Sequence, residues 1–536
     1  MRHTVPLPRG WAATPLDDLG VWSGGGTPSK EEPRFWNGGR IPWVSPKDMK
    51  RLFIQDSEDH ITEAALGASA ARLIPAHSVL MVTRSGILAH TFPVAVNLVP
   101  VTVNQDLKTL TPHAGVREMY VAYGLQALGQ SILRACSKDG TTVASVDTQE
   151  LKRVELPVAP HHEQQRIVEA IESYLTRLDN AVALLERVEE NLKRYRASVL
   201  KAAVEGRLVP TEAALARQEG REYEPACELL ERILAERKTR WIEDAAEKAR
   251  KAGQPWTAKD NATILEKERA KAAKQYKEPA APDTTDLPDL PEGWCWAGPE
   301  QVSSGEQYAI GIGPFGSNLL VTDYTDSGVP LVFVRNIRAE LFGTEGDHYI
   351  SAEKAAALRP HWVEPGDVLI TKMGEPPGDA CLYPPSRRTA VITADCIRLR
   401  LHPTAGSPKY IVYAVRSYGV RMQIAAMTKG VAQKKVSLAR FKGLAIPFPP
   451  VSEQLRLVSE LDRVNAVCEA VGCEVRVNIV RGQRLRQSIL KWAFEGKLVE
   501  QDPNDEPASM LLERIRAERA ATGAPKARGS RERSAE

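Results

Sequence analysis

The stretch VLKAAVEGRLV occupies residues 199–209, and ILKWAFEGKLV occupies residues 489–499. Seven of the eleven positions are identical, and the others exchange one apolar side chain for another or Arg for Lys. Self-similarity 290 residues apart points to a duplicated structural plan. Other landmarks repeat with it. LPRGW at 7–11 returns as LPEGW at 290–294, and HHEQQRIV at 161–168 returns as VSEQLRLV at 451–458. Pro75 before SVLMVTR matches Pro365 before VLITK, and Tyr120 in YVAYGL matches Tyr410 in YIVYAV. EPACELLERILAER at 224–237 returns as EPASMLLERIRAER at 506–519, with eleven of fourteen positions identical.

The offset between copies is 283 at the first landmark, 290 from Pro75 to Val209, and 282 at the last. Length therefore varies early in each half and after the EGRLV or EGKLV element, but not between. That constant segment reads as a helix. Ile167, Ile171, Leu175, Leu178, Val182, Leu185, Val188, Leu192, Tyr195 and Val199 recur at steps of three and four, and no proline interrupts 163–209. Leu457, Leu461, Cys468, Val475, Leu485 and Ile489 hold the matching positions, with Gly472 and Gly482 weakening the pattern. Roughly 40 residues at ~1.5 Å each give a rod of about 60 Å. One apolar stripe on so long a rod needs a partner helix, and the copy is the obvious partner. The glycine of EGRLV or EGKLV then ends each helix, and a second helix carrying LLERI follows.

Between the helices the composition changes. Residues 1–160 and 290–450 are rich in Gly, Pro, Trp and β-branched residues and contain short strand-like runs such as IPWV, SVLMVT, VPLVFV and DVLIT. Each reads as a mixed globular domain. Residues 161–250 and 451–519 read as helical regions, 251–289 as a charged, then Pro/Asp-rich linker, and 520–536 as a disordered tail. The fold class expected is α+β: two mixed α/β domains in tandem, each followed by long helices that pair as an antiparallel coiled coil, related by a pseudo-twofold internal repeat.

Bulk properties narrow the function classes. A chain of 536 residues with 43% hydrophobic and 26% charged content is ordinary globular protein of two to four domains. No apolar run approaches the ~20 residues of a membrane helix, and MRHTVPLPRGW has no apolar signal-peptide core. The seven cysteines form no CxxC pair, so reduced thiols in the cytoplasm are expected. Catalytic motifs are missing: no GxxxxGK[ST], no HExxH, and no [DNS]PP[YFW], Glu375-Pro376-Pro377-Gly378 being the nearest approach. Gly311-x-Gly313-x-x-Gly316 matches GxGxxG, yet Pro314 lies inside it and no helical pattern follows, which argues against a dinucleotide loop. No metal or cofactor site is read.

Two globules separated by a rod of fixed length suit a ligand that is itself a rod, and duplex DNA is one. At this point the residues carry a family resemblance. Ser23-Gly24-Gly25-Gly26-Thr27-Pro28-Ser29-Lys30, followed by Phe35-Trp36-Asn37-Gly38-Gly39-Arg40-Ile41-Pro42-Trp43-Val44-Ser45, resembles the opening of a target-recognition domain of a type I restriction-modification specificity subunit. Gly313-Pro314-Phe315-Gly316-Ser317 with Val334-Arg335-Asn336-Ile337 resembles another form of it. The resemblance implies a subunit that catalyses nothing, with two recognition domains reading a bipartite double-stranded DNA target. Two adenine methyltransferase subunits would dock on the helices, and translocase/nuclease subunits would join them. S-adenosylmethionine, ATP and Mg would be held by those partners. The alternatives are a coiled-coil scaffold with protein-binding globules, and a specificity subunit of a different modification assembly.

Candidate DNA contacts in the first half are Thr27, Ser29, Lys30, Arg40, Ser45, Lys47, Arg84, Lys138 and Thr141. In the second half they are Gly316, Ser317, Asn318, Arg335, Asn336, Arg338 and Lys372, with Arg335-Asn336 suited to guanine and adenine edges. Residues 409–442 add Lys409, Arg416, Arg421, Lys429, Lys434, Lys435, Arg440 and Lys442 with no Asp or Glu, interleaved with Tyr410, Tyr413 and Tyr418. Such a strip is expected to neutralise phosphates. Trp36 and Trp43 read as core. The partner-helix residues expected are Ile167, Ile171, Leu178, Leu185, Val199, Leu457, Leu461, Val475, Leu485 and Ile489.

Overall fold

Trp294 donates its indole N–H to Glu453 Oε1 at 3.0 Å, and through that bond the second LPxGW element meets the second xEQ element. The computed structural model in which this is seen describes residues 6–137, 143–252, 258–337, 341–343, 348–374, 377–428 and 434–521. It divides into two compact units, 1–187 with 475–536, and 188–474. Each unit therefore draws on both halves of the chain, whereas the sequence reading parcels the domains linearly.

In the first unit a five-stranded sheet runs in the order Gly20–Gly24, Leu107–Pro112, Val79–Val82, Val94–Asn97, Phe53–Ile54. A three-stranded sheet sets Ile41–Val44 between Asp59–Ile61 and Thr102–Val103. The helix Glu118–Cys136 packs its buried face, including Tyr120, Val121 and Leu125, on the larger sheet. Tyr120 is fully buried because its hydroxyl has partners: it donates to Pro157 O at 2.9 Å and accepts from Ala159 N at 3.2 Å. The same core takes in Ile167, Ile171 and Leu175 from the start of one long helix, His161–Val204. It also takes Ile489, Leu490, Ala493 and Phe494 from the end of the other, Val451–Phe494, and Leu511, Leu512 and Ile515 from the helix Ala508–Ala521.

The second unit repeats the plan with the halves exchanged. Its four-stranded sheet has the order Ile310–Ile312, Cys396–Leu399, Val368–Thr371, Ala380–Leu382, and a five-stranded sheet lies beside it. Its core joins Leu457, Leu461 and Val464 to Val199 and Ala203, and to Leu229, Leu230 and Ile233 of the helix Ala226–Ala252. Tyr410 donates to Pro447 O at 2.8 Å as Tyr120 does to Pro157 O.

Each repeated motif has a partner motif from the other half. Gly206 and Gly496 adopt φ of +65° and +67° just past their helices, the left-handed termination that glycine tolerates. A Cβ on Gly206 would lie 2.4 Å from Pro291 Cγ, and one on Gly496 would lie 2.3 Å from Pro8 Cγ. EGRLV thus seats against LPEGW, and EGKLV against LPRGW. The LLERI helices close the same corners, Ala226 N donating to Gly293 O and Ala508 N to Gly10 O, both at 2.8 Å. Gln164 and Gln454 of the xEQ elements are fully buried, and each donates to a backbone carbonyl of its own globule, Ala159 O and Ala405 O.

Along the first long helix the least exposed positions from 178 to 199 follow a heptad. Leu178, Val182, Leu185, Glu189, Leu192 and Arg196 are half-buried and Val199 is buried, steps of four and three alternating. The expected stripe drifted from this, because a 3.6-residue walk lands on Val188 and Tyr195, which are exposed. On the second helix Leu457, Leu461, Val475 and Ile489 are buried, the first two in the second unit's core and Ile489 in the first unit's, and Leu485 is 44% exposed. The neighbouring Arg486, itself partly exposed, pairs with Asp179. Gly482, one heptad before Ile489, is buried, and a Cβ there would lie 2.9 Å from Val182 Cγ2. In the second unit Arg196 bonds Glu469 at 3.0 Å and Asn465 O at 3.4 Å. The expected linker holds a further helix, Ala258–Gln275, packed on Ala226–Ala252 through Trp241 and Tyr276. The tail beyond residue 521 lies outside the described residues.

Candidate nucleic-acid interface

In the first unit four loops converge at one end of the strands. The chain leaving Gly20–Gly24 passes so close to Val103 that a Cβ on Gly25 would lie 1.6 Å from its carbonyl oxygen. Asn104 N then donates to Val44 O at 3.0 Å, which ties the loop before Leu107–Pro112 to the loop after Ile41–Val44. Thr83 N and Arg84 N donate to Asp106 O at 2.7 and 3.2 Å, and Val146 N donates to Thr83 O at 2.8 Å. A cleft remains among them, lined by Pro46, Arg84, Ser85, Gly86, Asp106 and Ser145.

The second unit closes the same way with other side chains. A Cβ on Gly313 would lie 2.1 Å from Thr393 C, Thr393 N donates to Val332 O at 2.9 Å, Lys372 N to Asp395 O at 2.8 Å, and Val436 N to Lys372 O at 3.0 Å. Two glycines of the GxGxxG match thus answer to close backbone or side-chain neighbours, and only the three-residue helical turns Gly316–Asn318 and Val321–Asp323 follow them. Asp106 and Asp395 anchor both arrangements and were not singled out from sequence. The signal was present: each follows an apolar strand at the same place in its copy, as VTVNQD and AVITAD.

The predicted residues divide sharply. Thr27, Ser29, Lys30 and Arg40 are exposed, and Thr27 Oγ1 donates to Gln105 Oε1 across two loops. Ser45 is buried, its N and Oγ both bonded to Asp48 Oδ2 at 2.8 and 3.0 Å. Lys47 pairs with Asp59 at 2.9 Å and Glu58 at 3.1 Å, with the Asp59 bond chiefly raising its pKa. Arg84 holds Asp106 at 2.7 Å on the cleft wall. Gly316, Ser317 and Asn318 form an exposed turn after Phe315. Lys372 is nearly buried under the Phe315 ring, 4.5 Å from its centroid, and burial lowers its pKa while Asp395 opposes the shift. Arg335 lies over the Phe333 ring at 4.2 Å. Asn336 corrects the expected reader pair. It is buried, its Oδ1 accepting from Phe333 N at 2.8 Å and its Nδ2 donating to Gly343 O at 2.9 Å, so its amide holds the loop. Lys138, Thr141, Arg338 and Lys429 lie outside the described residues.

The basic strip needs the larger correction. Its cations lack acids in sequence but meet them in space: Lys409 with Asp462 at 2.6 Å, Arg421 with Asp379 at 2.8 Å, Lys435 with Asp395 at 3.8 Å, and Lys442 with Glu300 at 2.8 Å. Arg440 donates to Met427 O at 2.8 Å. Arg416 lines a cleft with Lys193, Arg196 and Leu461, on the long-helix side. Tyr410 and Tyr413 are core, and Tyr418 alone of the three is exposed. Lys434 and Lys435 remain at the converging loops, bridged to Met373 and Gly374. Trp43 is buried and Trp36 half-buried, their rings edge to face at 5.3 Å. Among the described residues no three His, Cys, Asp or Glu side chains are grouped to hold a metal ion, and no helix is long and apolar enough to cross a membrane.

Residues 8–194 match the domain family described as type I restriction modification DNA specificity domain. The chain is 44% identical over 182 residues to the type I restriction enzyme EcoR124I/EcoR124II specificity subunit of Escherichia coli, covering 34% of this chain and 45% of that protein. It is 30% identical over 198 residues to the MjaIX specificity subunit of Methanocaldococcus jannaschii, covering 36% and 44%. The chain thus spans a little under half the length of these two relatives. A longer match, 24% identical over 405 residues, covers 72% of this chain and 69% of the EcoKI specificity subunit of Escherichia coli K12. The fold matches that of the HsdS subunit from Thermoanaerobacter tengcongensis, with TM-score 0.52 and 16% identity over 92% of this chain and 99% of that one. A chain from a structure of type I R-M system assembly and conformational transition matches at TM-score 0.61, with the same identity and coverage.

Proposed function

We propose that the chain is a type I restriction-modification specificity subunit, the non-catalytic subunit that gives such a complex its DNA sequence specificity, a reading supported by the match of residues 8–194 and by the similar specificity subunits. Each unit contacts one half of an asymmetric, interrupted duplex target in the cytoplasm. The observation that carries this reading is the repeated convergence of four loops at one strand end, with one backbone frame and different side chains in the two units. A shared frame keeps the mode of docking, and unlike side chains give unlike half-sites.

The long helices set the gap between half-sites and carry two adenine methyltransferase subunits, to which translocase/nuclease subunits add. S-adenosylmethionine, ATP and Mg belong to those partners. Exposed apolar side chains on the helices, among them Leu184, Tyr195, Val467 and Trp492, offer docking area. The test is long-read detection of modified bases in DNA from cells that co-express this chain with its neighbouring methyltransferase. The expected result is an adenine-methylated asymmetric motif with a fixed internal gap, lost when this chain is omitted. Unchanged methylation with both proteins soluble would refute the assignment.

A further inference from the structure

At the opposite strand ends of the second unit's four-stranded sheet, Arg398 is 3% exposed and its Nε has no hydrogen-bond partner. A buried guanidinium is costly unless it is paired. The nearby acids are already engaged: Arg400 takes both oxygens of Asp367 at 2.8 and 2.9 Å, and also Glu364 at 3.1 Å. Room for the guanidinium comes from Gly311, the first glycine of the GxGxxG match, where a Cβ would lie 3.3 Å from Arg398 Nη2. The first unit has no such group, because the residue registered with Leu80, as Arg398 is with Leu369, is the neutral Thr109.

Arg398 opens on a cleft of about 630 Å³, within the range of small-ligand sites. Arg359, Tyr308 and Trp362 line it, together with Glu306 and Glu364, whose carboxylates pair with Arg400 at 3.6 and 3.1 Å. Trp362 is fixed by its indole bond to Ala355 O at 2.6 Å. Tyr308 holds a φ of +70°, costly for an aromatic residue, and presents a half-exposed ring whose hydroxyl meets Gln307 Nε2 at 3.1 Å. A strained ring and a buried cation with an unpartnered Nε, both lining the cleft, are the two parts of a site for an anionic group attached to a flat body.

We propose that this cleft binds a small phosphate-bearing molecule, its phosphate on Arg398 and Arg359 and its remainder against Tyr308 and Trp362. Phosphate could also come from the DNA backbone, but the cleft lies at the strand ends away from the converging loops, so the free molecule is the source assigned. The inference is independent of which DNA sequence the chain reads.

The experiment is isothermal titration of the full-length chain with inorganic phosphate and with adenosine 5′-monophosphate, at ionic strength matched with chloride. Saturable uptake is expected for the wild type, the nucleotide binding more tightly. Arg398→Met should weaken both at least about tenfold, and Arg359→Gln, on the surface, should weaken both less. Tyr308→Gly should relieve the backbone and weaken the nucleotide while sparing phosphate. If Arg398→Met fails to fold, Arg359→Gln and Tyr308→Gly decide. No saturable uptake by the wild type, or equal uptake by folded variants, overturns the proposal. So does duplex DNA that displaces phosphate and is itself weakened by Arg398→Met, since the cleft would then serve the DNA backbone.

Discussion

Gly482→Ala is the sharpest probe of whether the two long helices close on one another in the first unit. Two effects oppose. Ala is favoured over Gly in a helix interior by about 1 kcal/mol. Against that, the new Cβ would stand 2.9 Å from Val182 Cγ2, where carbon atoms prefer about 3.5–4.0 Å. Val182 is β-branched and half-buried, so it cannot swing aside cheaply. Overpacking of this kind costs about 1–3 kcal/mol, so the substitution should destabilise by about 1 kcal/mol net. Val182→Ala alone should also cost about 1 kcal/mol, from lost apolar burial. With Val182 shortened, the nearest remaining atom is Leu178 Cδ1 at 3.6 Å, an ordinary contact, and Gly482→Ala should then stabilise by about 1 kcal/mol. The coupling energy across the double-mutant cycle is therefore about 2 kcal/mol. Hydrogen-exchange protection of amides around both sites is the suitable assay, because a two-unit chain need not unfold in two states. If Gly482→Ala stabilised equally in both backgrounds, helix propensity alone would be acting and the close approach would be wrong.

Four further outcomes are expected. Deleting one heptad from each long helix, about 10 Å of rise, should shorten the methylated motif's gap by about three base pairs or abolish methylation; a native-like protein with an unaltered gap refutes the ruler. Lys434→Ala with Lys435→Ala should lower the slope of log affinity against log salt by about 2, measured by fluorescence anisotropy on target duplex, and an unchanged slope removes both from the phosphate contacts. Arg84→Ala should relax the half-site read by the first unit only, visible as a changed base preference on one side of the gap. Glu453 has its pKa raised chiefly by burial, with Glu212 N–H, Trp294 and Arg456 opposing. Its stabilising contribution is therefore full below the unfolded carboxylate value near ~4.3 and is lost as pH rises through the raised folded value. Glu453→Gln should accordingly flatten the fall in Tm with pH over that window, and an unchanged profile would mean that this carboxyl is not the titrating group.

Much of the fold was legible because its signals are local. The glycine of EGxLV reads directly as a helix end, whereas LPxGW and xEQ were legible only as repeated landmarks, their turn and buried polar groups coming from the fold. The seam register was not legible, since the half-buried positions are held by the charged Glu189 and Arg196 while the apolar Val188 and Tyr195 beside them are exposed. Only the partner helix distinguishes a 3.5-residue repeat from a 3.6-residue one, through groups such as Glu469 and Asp179. The charge compensation of the basic strip was hidden for the same reason. Asp379, Asp395, Asp462 and Glu300 lie outside residues 409–442, so a local charge count finds no compensation where the fold supplies it. The loop candidates fared unevenly: sequence marks a loop as polar but cannot tell Asn336, spent on Phe333 N and Gly343 O, from Ser317, whose turn is open.

The duplicated stretch now has a physical reason. EGRLV closes a corner built around Pro291 and Trp294, and EGKLV closes one built around Pro8. Neither corner can form from its own half alone, because the helix that supplies its cap begins at the other half's xEQ element. Both helices are 44 residues long. A length change in one alone would set its cap out of step with its own seam, where Arg486 meets Asp179 and Arg196 meets Glu469. A matched change in both would keep every local partnership.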